Sequence, residues 1–230
     1  MRLVITGIEY SGKSSLGEAL CEWIRTTMGQ EETGTHDHYW PNISHQDLTD
    51  EEQKYLLGLS PRLKELVMRN TSDYHVQHSF YGPSEPDHIV IGAHIEDAVM
   101  GPFYYGYGSS DDIQARSTIV NPILEAEILR NGPDTVLVHL KASVDVIRQR
   151  MNDSPHPNSV LQEKDVPIIL GRFEEEVAGS KLGQRIVIDT SGKTVEQTLN
   201  EFVQELEPHL TDIDKQRILI QKFKRKGEWI

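Results

Sequence analysis

The chain of 230 residues has a single cysteine, Cys21, so no disulfide can close within it. Cys21 falls at an apolar position of an expected helix and reads as buried packing, which suits a reducing compartment. No run approaches about 18 uninterrupted apolar residues, the length a membrane span needs. The N-terminus also lacks the basic stretch and apolar run of an export signal. The expectation is a soluble cytoplasmic protein with no membrane partner. Positive charge is scarce, with 23 Lys and Arg against 36 Asp and Glu and a net charge of −13. Such a surface repels phosphate backbones, so no nucleic-acid partner is expected. His36 and His38 alternate and His75 and His78 stand one helical turn apart, but one cysteine and no second matching pair make neither a zinc site. Internal repeats and low-complexity tracts are missing as well.

What is present begins at once. Arg2 to Thr6 is a short apolar run that breaks into Gly7-Ile-Glu-Tyr-Ser-Gly-Lys-Ser14, the G-x-x-x-x-G-K-S spacing of a phosphate-binding loop. Gly7 lets the chain turn sharply out of the strand, and Gly12 lets backbone N–H groups approach phosphate oxygens. Lys13 is placed to reach β- and γ-phosphates, and the Ser14 hydroxyl to ligate Mg²⁺. Tyr10, Ser11 and Ser15 complete the loop, and a helix over Lys13 to Met28 points its positive end at the same anion. The expected cofactors are therefore ATP and Mg²⁺.

Short apolar runs then alternate with helical periodicity, which predicts an α/β fold, a mostly parallel sheet of about five strands with helices on both faces. Strands are expected near Arg2 to Thr6, Thr33 to Asp37, His88 to Ala93, Thr135 to Leu140 and Arg185 to Asp189. Helices are expected near Lys13 to Met28, Asp50 to Arg69, Ile95 to Tyr105, Ile113 to Arg130, Val144 to Met151, Val166 to Ala178 and Val195 to His209. Two polar stretches, Thr71 to Asp87 and Asn152 to Asp165, fall where loops at the carboxyl ends of strands build the site, and both are candidate lids. From Thr211 onward the chain carries six basic residues against three acidic ones, a basic tail expected to pair with the chain's own acidic surface.

The N/T-K-x-D motif that reads guanine is not present. The third strand leads instead into His94-Ile-Glu96-Asp97, which sets two carboxylates at the sheet edge where Mg²⁺ would sit. Glu96 is the candidate metal ligand, with Asp97 in reserve. Gly101-Pro-Phe-Tyr-Tyr-Gly-Tyr-Gly108 supplies rings between glycines, and Tyr104 and Tyr105 with Trp40 could form a slot that stacks a planar acceptor.

Five elements stand in one order: the Gly7 to Ser15 loop, Asp37-His-Tyr-Trp40, the Glu96-Asp97 turn, His139-Leu-Lys-Ala-Ser-Val-Asp-Val-Ile-Arg-Gln-Arg150, and Val187-Ile-Asp-Thr-Ser-Gly192. In this order the chain resembles the thymidylate kinase and deoxynucleoside kinase group of P-loop kinases, over residues 1–210. The resemblance implies a P-loop NTPase three-layer fold with a lid near 152–165. It implies Asp37 as the general base, Arg150 as the family's recurring arginine beside the phosphates, and an adenine loop near Thr190 to Gly192. It also implies transfer of the γ-phosphate of ATP to a small-molecule acceptor, a nucleoside or nucleoside monophosphate. Two departures stand out: Glu96 is followed by Asp97 where those families carry arginine, and residues 152–165 contain no arginine and only Lys164. A non-nucleotide metabolite as acceptor, and a nucleotide-binding sensor without kinase activity, remain alternatives. Oligomeric state is open, a homodimer included. The domain expectation is a kinase domain over 1–210 and a basic tail over 211–230.

Overall fold

The computed structural model describes residues 1–31, 33–37, 48–77, 87–157 and 159–227. The chain enters strand β1 (Arg2–Thr6), turns through the glycine loop into helix α1 (Lys13–Thr27), and continues to β2 (Gly34–Asp37), α2 (Asp50–Gly58) and α3 (Pro61–His75). Next come β3 (His88–Ile91), α4 (Ala93–Met100), α5 (Asn121–Asn131) and β4 (Val136–Lys141). The remainder is α6 (Val144–Asp153), α7 (Val166–Gly179), β5 (Gln184–Asp189), α8 (Val195–Leu206) and α9 (Asp212–Lys226).

The five strands pair in the order β2-β3-β1-β4-β5, all parallel. Alternate residues of each strand point to opposite faces, so the sheet feeds two cores. Val4 and Leu137 pack with Ile95, Ile147 and Phe173 on one face, beneath α4, α6 and α7. Leu3, Ile5 and Val138 pack with Leu16, Leu20 and Phe202 on the other, beneath α1 and α8. Burial on both faces is what the near-continuous apolar strands require. The outcome is the expected three-layer α/β fold with helices on both faces. Because β1 is flanked by β3 and β4, the loop that follows it opens at the centre of the carboxyl edge.

Several expected elements are divided. The Asp50 to Arg69 helix is two helices, because Pro61 forces Ser60 into an extended conformation (φ −63°, ψ 153°). Thr49 caps the first of them with a capping box to Glu52. The third strand stops at Ile91, and Gly92 and Ala93 with positive φ swing the chain into α4 two residues earlier than expected. The expected Ile95 to Tyr105 and Ile113 to Arg130 helices each contain a wide π-turn, over Gly101–Tyr105 and Arg116–Val120. Pro102 and Pro122 lack the N–H that an α-helical ladder would use there.

Residues 212–226, expected as a basic tail, form helix α9. A Thr211–Asp214 capping box starts it and Gly227 (φ 68°) ends it. Ile218 packs on the α1 face, and Arg217 pairs with the buried Asp87 at 2.6 Å. No helix among the described residues is long and apolar enough to cross a membrane.

Candidate active site

Gly7 is obligatory: a Cβ there would stand 2.2 Å from the Leu140 carbonyl of β4, and its φ is +151°. Gly12 also has positive φ (94°), and Tyr10 between them takes the left-handed conformation (φ 65°) that side chains rarely adopt. The loop thus opens its backbone toward the sheet edge at the N-terminus of α1, a fitting cradle for phosphate. Lys13 curls back over this loop. Its Nζ donates to the carbonyls of Gly7 (2.7 Å) and Ile8 (3.3 Å) and stands 3.2 Å from Glu96 Oε2.

The two candidate carboxylates flank the loop from neighbouring strands. Ser14 Oγ donates to Asp37 Oδ2 at 2.5 Å, from the end of β2. Glu96, on the first turn of α4, is buried against Lys13. Burial raises its carboxyl to about 7; Lys13 opposes this, and the charges of Glu9 and Asp37 add to it. The partners are therefore the reverse of those expected: Asp37 stands by the Ser14 hydroxyl and Glu96 by the Lys13 ammonium. Ser14 and Asp37 present hard oxygen donors side by side, a set whose chemistry fits Mg²⁺. Asp97 is removed from any such role. It is buried against the Arg116 guanidinium (Nε to Oδ2 2.6 Å), and the Tyr107 hydroxyl donates to it at 2.6 Å.

Arg150 lies along the loop on its other side, where its guanidinium donates to the Tyr10 carbonyl (2.8 Å) and to the Thr190 hydroxyl and carbonyl (3.1 and 3.0 Å). Thr190 Oγ1 also lies within hydrogen-bonding distance of the Ser11 carbonyl (3.0 Å). Arg150 thus ties α6 and the end of β5 to the phosphate loop. Arg148, two residues earlier, turns away and donates to the Glu163 carbonyl.

The segment expected as a lid rests on the variable positions of the loop. The His156 N–H donates to the Tyr10 hydroxyl at 3.0 Å, and the two rings stack with centroids 4.1 Å apart. Ser159 Oγ donates to Glu9 at 2.6 Å. These contacts were invisible in the sequence, because the phosphate-loop spacing leaves the positions of Glu9 and Tyr10 free. A cavity of about 660 Å³ runs beneath this segment. One end is bounded by Thr190, Lys193 and Val195; the middle is the Gly12 to Ser15 loop; the other end holds Asp37, Asp50, Gln53 and Glu96.

The aromatic slot is not formed as expected. Tyr105 is buried in the core beside Tyr107. Tyr104 donates to Asp165 (3.0 Å) and accepts from the Gln162 N–H, and burial raises its hydroxyl to about 12. Neither lines the cavity. Both belong to the Gly101–Tyr105 π-turn, whose hydrogen bonds and packing turn the rings away from the sheet edge. Trp40 lies outside the described residues. Cys21 is half-exposed rather than buried, with its sulfur 3.1 Å from the Thr35 hydroxyl.

No protein-family model matches the chain, and neither does any curated protein. Solved structures do match. Thymidylate kinase from Candida albicans superposes with a TM-score of 0.56 at 14% identity, covering 92% of this chain and 95% of its own. Deoxyadenosine kinase from M. mycoides, solved with bound dATP, gives a TM-score of 0.57 at 12% identity over 90% of this chain and 100% of its own. The YorR protein from Bacillus subtilis, in complex with phosphorylated GDP, gives 0.55 at 16% identity over 91% and 99%. At these identities the likeness is one of architecture, and the chain has the P-loop kinase fold shared by the thymidylate and deoxyadenosine kinases.

Proposed function

We propose that the protein is a small-molecule kinase that transfers the γ-phosphate of ATP to a hydroxyl of its acceptor. The observation that carries this reading is one continuous cavity lined by Thr190 and Lys193, the phosphate loop, Asp37 and Glu96. A cavity open on both sides of the loop has room for a phosphate donor and an acceptor in line, which is the geometry phosphoryl transfer needs. A sensor needs only the first half.

In this reading Lys13 leaves the Gly7 and Ile8 carbonyls and pairs with phosphate oxygens, while the N–H groups of the loop hold the rest of the chain of phosphates. Ser14 and Asp37 are the residues that would hold Mg²⁺, which supplies charge neutralisation at the phosphates. Glu96 accepts the proton of the acceptor hydroxyl. As that oxygen bonds to phosphorus, the bridging bond between the β- and γ-phosphates breaks and ADP leaves with the bonding pair. A carboxyl raised to about 7 is suited to that task near neutral pH. Arg150 acts by position, holding Tyr10 and Thr190, and so keeps the loop and the adenine side in register.

The finer reading is that the acceptor is a nucleoside or nucleoside monophosphate, supported by the architecture shared with nucleoside and nucleotide kinases. The test is ADP formation from Mg·ATP with and without a panel of nucleosides, nucleotides and polar metabolites, with phosphorylated products identified by mass spectrometry. Acceptor-dependent ADP release with a matching product supports the kinase. Slow ADP release indifferent to every acceptor, with ATP still bound, replaces it with the sensor.

A further inference from the structure

The phosphate-loop spacing fixes the glycines, Lys13 and Ser14 and leaves positions 9 and 10 free, yet these two positions hold the segment above the cavity. Tyr10 has the left-handed conformation (φ 65°), which persists only where surrounding contacts hold it, and Arg150 donates to its carbonyl at 2.8 Å. Its ring is thereby presented to His156. The two rings stack at 21° with centroids 4.1 Å apart, and the His156 N–H donates to the Tyr10 hydroxyl at 3.0 Å. Glu9 grips the same segment: its Oε2 accepts from Ser159 Oγ at 2.6 Å, and His156 Nδ1 stands 3.8 Å from that oxygen. Two consecutive residues of the loop thus hold two residues about 150 positions away in sequence.

The cavity of about 660 Å³ exists while these contacts are made, and Glu9, Tyr10, His156 and Ser159 line it together with Gly12 and Lys13. That volume is in the range of small-molecule sites, so phosphates can rest on the loop with the segment held down. The contacts therefore close over a nucleotide and do not have to be displaced by it. Glu9 adds an electrostatic reason. It is the only acidic residue in the sequence from Gly7 to Ser15, and Ser159 and His156 meet its carboxylate. Once the segment lifts, that carboxylate loses both partners, and an unpartnered carboxylate beside phosphate oxygens repels them. Opening clears the way out and weakens the hold on phosphate in one movement.

Resting on the nucleotide site of the kinase reading above, we infer that Glu9 and Tyr10 form a latch for His156 and Ser159, and that opening of this latch sets the rate at which ADP leaves. Glu9 and Tyr10 are positioning residues, since they act through the segment and not on the reacting atoms. Arg150 is the fixed base of the latch, because it holds the Tyr10 carbonyl from α6, the helix that leads into the segment.

The test is stopped-flow release of a fluorescent ADP from the full chain, in the wild type and in Ser159→Ala, His156→Ala and His156→Phe, with Tm measured alongside. Ser159→Ala removes a hydrogen bond to a charged group and should speed release about 10-fold or more. His156→Ala removes the stacked ring and should speed release about 3-fold or more. His156→Phe keeps a ring on Tyr10 and should return the rate to within about 2-fold of the wild type. Association should change less than release in all three. Unchanged release in both Ser159→Ala and His156→Ala would overturn the latch while leaving the kinase intact, and so would a His156→Phe as fast as His156→Ala. Faster release in the alanine variants, with no transfer by the wild type to any acceptor, would overturn the kinase reading and support the latch. A wild type that does not bind the fluorescent ADP would overturn both.

Discussion

Lys13 has partners that it must exchange to pair with phosphate: two loop carbonyls and the Glu96 carboxylate. Lys13→Ala should reduce turnover about 10²-fold or more, since a charge placed on the transferring group is lost; steady-state ADP release checks it. The two carboxylates separate by different readouts. Glu96→Gln keeps the shape but cannot take a proton, so kcat should fall about 10²-fold or more. Burial holds the Glu96 proton up to about 7, so the carboxylate is protonated and inactive below that pH and ionised above it. Wild-type kcat/KM should therefore rise as pH passes through about 7, and this rise should vanish in Glu96→Gln. Asp37→Asn should instead raise the Mg²⁺ concentration needed for half-maximal activity about 10-fold or more, as Ser14 loses its carboxylate partner. If Asp37→Asn flattens the pH profile and Glu96→Gln shifts the Mg²⁺ requirement, the two roles are interchanged.

At the scale of elements, the site is held by contacts among segments far apart in sequence. Arg150 of α6 binds the turn after β1 and the end of β5 with its one guanidinium. Three hydrogen bonds from one charged group, two to carbonyls and one to a hydroxyl, contribute about 2 kcal/mol or more, so Arg150→Ala should lower Tm by about 4 to 8 °C and raise KM for ATP. Arg150→Lys should not restore either, because an ammonium cannot span the fork that joins Tyr10 to Thr190. Differential scanning calorimetry and an ATP titration check both. The Tyr10–His156 stack and the Ser159–Glu9 hydrogen bond work similarly on the lid segment. Tyr10→Ala should speed amide exchange over residues 154–157 while leaving the α1 amides protected, with hydrogen exchange as the readout.

At the scale of the whole molecule, α9 closes the fold against the start of β3. Asp87 is buried, and both the Met1 amino group (2.9 Å) and Arg217 (2.6 Å) pair with it. Burial pushes the Asp87 carboxyl up, but Arg217 and the amino group more than offset this and hold it below the usual carboxylate range. A depressed value means that the contribution to stability is present above the unfolded-chain pKa of about 3.9 and is lost as pH falls through the folded value. Acid unfolding of the wild type should thus steepen below about pH 4. Arg217→Ala should cost about 3 kcal/mol at neutral pH and show a weaker acid slope, as measured by urea unfolding across pH. The likeness to the thymidylate and deoxyadenosine kinases covers 92% and 90% of the chain, whereas the side chains that line the cavity are this chain's own.

The sequence by itself determined the sheet, the phosphate loop and the order of elements, because these depend on local signals: apolar runs of strand length, the glycine spacing, and capping residues next to the segments they cap. The strand starts were legible to within a residue, and Lys13, Ser14, Asp37, Glu96 and Arg150 all reach one cavity. Even α9 had its signal, the Thr211-x-x-Asp214 capping box ahead of a periodic stretch. What the tertiary structure decided is which groups meet. Whether Asp37 or Glu96 stands beside Ser14, whether Arg150 holds phosphate or backbone, and whether Tyr104 and Tyr105 face the cavity all depend on how helices turn as they cross the sheet. That rotation is set by packing between residues far apart in sequence, through contacts such as Lys13 with Glu96 and Arg150 with Tyr10, 140 positions away, and no periodicity along the chain records it.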